Sequence, residues 1–157
     1  MNCKISISFL HKQRFFFVPL NFNLIKQSTV IQQITRGIKI SVETKFEGSF
    51  LKENIPHHAF LYFITIENQS KNVVQLLSRH WKIQEAINRP QYVNGAGVVG
   101  KKPVLRPGET HTYQSGSLIT SPMGSMCGTF IMINFTTAKK FNVEVPCFKL
   151  NVPYILN

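Results

Sequence analysis

Gly95, Gly97 and Gly100, followed at once by Lys101 and Lys102, are the residues whose spacing could do the most chemistry. Gly-x-Gly-x-x-Gly is the pattern that brings backbone N–H groups against a pyrophosphate at a helix N-terminus. That chemistry needs a helix to open directly behind the loop. Here Pro103 and Pro107 follow, with Gly108 behind them. A proline inside a helix removes a hydrogen bond and clashes with the preceding turn, so the dinucleotide reading fails. Two readings of the loop stay open. In the first, the glycines simply permit positive φ in a long hairpin loop. Alternatively, successive N–H groups form an anion-binding nest, with Lys101 and Lys102 supplying charge.

Arg79-His80-Trp81 is the second candidate. Trp81 alternates with Ile83 and is expected to fill a core, because an indole buries so much area. On an alternating strand Arg79 points the same way as Trp81, and His80 the other way. Arg79 is then expected to reach the rim or to pair with a glutamate. His80 would face the glycine loop and titrate near neutrality.

Metal and nucleophile chemistry find little support. The histidines are His11, His57, His58, His80 and His111, with no His-x-His or His-x₃-His pair. His57 and His58 would project to opposite faces of a strand. The chain has no aspartate, the usual orienting acid of hydrolytic triads and a common Mg²⁺ ligand. Ser115-Gly116-Ser117 lacks the Gly-x-Ser-x-Gly elbow. No metal, cofactor or catalytic residue is therefore expected, and the chain reads as a non-enzyme. Of the seven glutamates, Glu53 falls in a loop. Glu43, Glu47, Glu67, Glu85, Glu109 and Glu144 fall in or beside strands, where they read as solvent-facing charges.

Composition sets the frame around these residues. At 157 residues with 13 Phe, the chain can build one domain with a sizeable core. The net charge of +11 suits an anionic partner but equally an ordinary basic protein. No nucleic-acid partner is expected from it. Cys3, Cys127 and Cys147 form an odd, widely spaced set without Cys-x-x-Cys. That argues against a disulfide framework and for a reducing, cytoplasmic location. Cys127 and Cys147 fall in apolar strands, as small buried thiols would.

Residues 1–31 are basic, acid-free and rich in Phe. They are read as a poorly ordered extension, a start-site artefact or a degenerate targeting segment, with no stretch suited to spanning a bilayer. From Gly37 onward the pattern is strand. Ile38, Ile40 and Val42 alternate with Lys39, Ser41 and Glu43, and His58 to Ile66 is apolar on both faces. Further strands are expected at 73–77, 80–83, 110–115, 128–135, 141–145 and 148–152. About seven or eight short antiparallel strands with turn residues between them predict an all-β sandwich with essentially no helix.

Val74 to Trp81, Gly95 to Glu109, Tyr113-Gln114-Ser115-Gly116, and the stretch from Pro146 to Asn157 together resemble the ApaG-domain family. The resemblance covers roughly residues 32–157. Lys101 stands where an acidic residue is common in the family, making this loop more anion-friendly. The resemblance implies a fibronectin-type-III-like sandwich and a family whose biochemical role is poorly defined. Bacterial members are associated with cobalt resistance and magnesium efflux. Related domains in eukaryotic F-box proteins and in a DNA-polymerase-interacting protein imply protein binding. The expected function is therefore a binding module with a protein partner, engaged through strand edges that could also support self-association. The alternatives are a phosphate, pyrophosphate or nucleotide binder at residues 95–102, and an indirect role in cation homeostasis.

Overall fold

A computed structural model describes residues 30–153. Nine strands follow one another: β1 (Ile31–Thr35), β2 (Ile38–Lys52), β3 (Ile55–Asn68), β4 (Val74–Glu85), β5 (Gln91–Ala96), β6 (Val104–Leu105), β7 (Thr110–Ile119), β8 (Met123–Asn134) and β9 (Lys139–Asn151). No helix occurs among the described residues. One sheet has the order β1-β2-β3-β7 and the other β5-β4-β8-β9, with β6 beside the start of β4. Every pairing is antiparallel. The two sheets form the expected sandwich.

Alternation builds the core. Ile38, Ile40 and Val42 of β2 and Ile64 and Ile66 of β3 are fully buried against Leu76, Phe130, Met132 and Phe148 from the other sheet. Trp81 stands at the centre, edge-on to Tyr62 (5.8 Å), Phe130 (6.0 Å) and Phe148 (6.1 Å). It lies opposite Gly128 in the β4–β8 register, where a Cβ on that glycine would strike the indole ring. β1 and β2 pack against β9, closing one side of the sandwich. β7 and β5 are the last strands of their sheets on the other, open side.

The differences from expectation have physical causes. β1 arises because Arg36 and Gly37 both take positive φ (51° and 78°), the turn that folds Ile31–Thr35 back onto β2. The strands expected at 73–77 and 80–83 are one strand, joined through a bulge between Leu76 and Ser78. The segments around 141–145 and 148–152 are likewise one strand, β9. A register shift at Met126/Gly128 of β8 accommodates Pro146 within it. The extension expected over residues 1–31 lies outside the described residues apart from Val30 and Ile31, and Ile31 already opens β1.

Two readings of single residues are corrected. Cys127 and Cys147 are not free buried thiols. They form a disulfide with Cα atoms 4.3 Å apart, and Cys147 is exposed. The pairing arises because the β8 shift brings Cys127 opposite the Pro146–Cys147 step, and it removes the cysteine argument for a reducing compartment. Glu85 is not a solvent-facing charge but is only 3% exposed. It shares the inward parity of Trp81 and Ile83.

Candidate functional site

The glycine-rich segment fills the open side between the two sheets. Gly95 belongs to β5, paired with Arg79 of β4, and Asn94 is paired with His80. After Ala96 the chain leaves the sheet. The Leu77 carbonyl, set off the β8 ladder by the bulge, accepts the Gly97 N–H at 2.8 Å. Val98 and Lys101 then exchange both backbone bonds (2.8 and 2.9 Å) around a two-residue tip, Val99-Gly100. Gly97 has φ +58°, and a Cβ there would land on the Lys101 carbonyl oxygen. Only glycine fits.

Arg79 faces inward beneath this loop. It is half-buried and pairs with no glutamate among the described residues. Its Nη1 donates to the Gly97 carbonyl at 2.6 Å and the Ala96 carbonyl at 3.2 Å. The guanidinium also packs against Gly95 and lies close enough to Tyr62 and Tyr113 to act on their hydroxyls. Burial pushes both tyrosines above their ordinary range, and the Arg79 charge partly offsets it. The Tyr113 hydroxyl is buried with no hydrogen-bond partner among the described residues. Arg79 therefore acts as a clamp that holds the loop carbonyls.

His80 lies on the opposite, outer face. Its Nδ1 is 2.7 Å from Asn94 Oδ1, and its neighbours are Thr129 and Lys82 rather than the loop tip. The imidazole that does approach the loop is that of His111, at the start of β7, close enough to Lys101 to feel its charge. Burial, and then the nearby Lys101 ammonium, hold its pKa below the usual range by disfavouring the charged form. Sequence reasoning had His111 only as a metal candidate, and its placement beside Lys101 depends on how β7 and the loop meet.

Of the expected anion site, Gly95, Gly97, Gly100, Lys101 and Lys102 do lie in one segment. The N–H groups of Gly97, Val98 and Lys101 are taken up by the bonds above, leaving those of Val99 and Gly100 at the tip. Lys101 and Lys102 are exposed, and neither joins an ion pair among the described residues. Val99 carries a β-branched side chain at φ +47° while 56% exposed. Such a conformation costs roughly 1–3 kcal/mol. Val99→Asn, which suits a tip of this kind, is expected to raise the melting temperature by about 2–8 °C in a thermal scan.

Among the described residues, no three His, Cys, Asp or Glu side chains come together as metal ligands. A family model described as the ApaG domain matches residues 49–134. The chain belongs to the ApaG domain family. Protein ApaG of Acidithiobacillus ferrooxidans is 44% identical over 113 residues, covering 72% of this chain and 88% of that protein. Protein ApaG of Thiobacillus denitrificans is 42% identical over 120 residues, covering 76% and 94%. An X-ray structure from the Northeast Structural Genomics Consortium superposes with a TM-score of 0.72 at 32% identity, covering 76% of this chain and 90% of that one. The likeness therefore spans most of the domain, including the glycine-rich segment and the open side.

Proposed function

We propose that this ApaG domain is a non-enzymatic binding module that takes up an extended, acidic segment of a partner protein along the free edge of β7. The character of that edge carries the reading. Proteins guard exposed strand edges with charges, prolines, bulges or short length. The free part of β2 beyond its pairing with β1 bears Glu43, Lys45, Glu47 and Lys52 and a bulge at Phe46/Gly48. β9 bears Lys139, Lys140, Glu144, Pro146 and Lys149, and β5 is only six residues long. β7 runs for ten residues, pairs only with β3 among the described residues, and contains no Lys, Arg, Glu or Pro. Main-chain bonds to such an edge supply affinity, and adjacent side chains supply selectivity. At its Thr110 end Glu67 and Glu109 are held in ion pairs with Lys39 and Arg106, whereas Lys101, near enough to His111 to act on it, and the following Lys102 join no ion pair among the described residues and select for negative charge. Any part in cobalt resistance or magnesium efflux would be exerted through that partner.

Panning a random linear peptide library on the full chain tests this. Acidic sequences are expected to be enriched, and a Lys101→Glu/Lys102→Glu variant should bind them about tenfold more weakly or worse. Both lysines are exposed, so its melting temperature should be unchanged. Neutral or basic peptides, or undiminished binding by the variant, would count against the proposal.

The N–H groups of Val99 and Gly100, unbonded among the described residues and beside two lysines without ion pairs there, favour a second reading, a phosphate-bearing small molecule at the tip. Titration with inorganic phosphate and pyrophosphate should then move the amide resonances of residues 95–102. No movement at millimolar ligand ends that reading.

A further inference from the structure

The Cys127–Cys147 disulfide lies on the outer face of the five-stranded sheet, away from the loop and from β7. Both cysteines line a groove of about 350 Å³ with His80, Lys82 and Tyr92. The two sulfurs differ in surroundings. Cys147 is exposed, whereas Cys127 is half-buried at the β8 register shift, directly before Gly128 and its Trp81 contact. Lys82 is the direct cross-strand partner of Cys127. Side chains so placed have Cβ atoms about 4.5–5.5 Å apart. Lys82 joins no ion pair among the described residues. Glu144, the one carboxylate in the groove, accepts from Thr129 in the neighbouring row.

We propose that Cys147 is a thiol–disulfide exchange site for small thiols, with Cys127 as the leaving sulfur and Lys82 as the cation that stabilises it. An external thiolate attacks Cys147 Sγ, the sulfur of the more exposed residue. A new S–S bond forms there, the Cys127–Cys147 bond breaks, and its electron pair departs on Cys127 as a thiolate. A nearby ammonium lowers a thiol's pKa, and a lower-pKa sulfur leaves faster. If the reagent is a dithiol, its second sulfur, as thiolate, attacks its own sulfur in the mixed disulfide and releases Cys147. The protein has then gained two electrons and two protons, and the dithiol has become a cyclic disulfide. Exchange frees the register shift next to Gly128, so it also reaches the seat of Trp81.

The experiment uses the full chain carrying Cys3→Ser, which removes the remaining cysteine. It is incubated with reduced glutathione in native buffer, quenched with acid and peptide-mapped. The adduct is expected on Cys147 with a free thiol at Cys127, and the emission of Trp81, the sole tryptophan, should shift as exchange proceeds. Lys82→Gln is expected to slow exchange about threefold or more, while Lys82→Arg keeps the rate. An adduct on Cys127, an unchanged rate in Lys82→Gln, or exchange no faster than global unfolding measured by hydrogen exchange would overturn the proposal.

Discussion

Replacing Trp81 with alanine is expected to destabilise the domain by about 3–5 kcal/mol. The indole is 3% exposed and meets three aromatic rings, contributed by both sheets. A domain of this size holds only roughly 5–15 kcal/mol in total. The melting temperature should accordingly fall by roughly 10–25 °C. Circular dichroism is the appropriate monitor, since the variant has no tryptophan left to report. Gly128→Ala approaches the same site from the opposite strand. Its methyl would strike the ring, so a loss of about 1–3 kcal/mol is expected. The two changes touch one contact and should not be additive.

Glu85→Ala is expected to have the second largest effect. Glu85 Oε2 accepts from Thr120 N (2.9 Å), Thr120 Oγ1 (2.9 Å), Ser121 N (3.0 Å) and Asn88 Nδ2 (2.9 Å), so one carboxylate ties the end of β4 to the β7–β8 connection. Alanine leaves the Thr120 and Ser121 donors without this acceptor, while Asn88 Nδ2 keeps its bond to Thr120 Oγ1; at about 1–3 kcal/mol for each buried group, a total near 3–4 kcal/mol is expected. Burial alone would raise the pKa of Glu85. The bonds from Thr120, Ser121 and Asn88 outweigh it, and the net shift is downward from 4.5. A carboxylate with a lowered folded value contributes stability that is present above the unfolded value and lost as pH falls through the folded one. Denaturant melts below pH 4.5 should therefore show the native chain losing stability more steeply than Glu85→Gln. Parallel pH profiles for the two would mean that the carboxylate does not hold this corner.

The sandwich was legible because its strands alternate cleanly over long stretches, as in Ile38-Lys39-Ile40-Ser41-Val42. The prolines behind Gly100 likewise excluded a helix without any knowledge of the fold. What escaped the sequence depends on register. Leu77 and Cys127 each sit at a shift in pairing, and a shift changes which face the following residues take. The disulfide joins residues 20 apart whose alignment follows from that shift, with no local signal. Glu85 did carry a signal, since it continues the Trp81, Ile83 parity, but its charge argued the other way. The Arg79 clamp was half legible. Its inward direction followed from Trp81, whereas its carbonyl acceptors come from a loop that folds back across the strand.

Hydrogen–deuterium exchange, read amide by amide with and without a selected acidic peptide, tests the central proposal most directly. Edge pairing on β7 predicts new protection limited to residues 110–119 and to the amides around Lys101 and Lys102, all of it lost in added salt. Protection on β5 or β9 instead, or binding that leaves the amides of β7 unchanged, would contradict it.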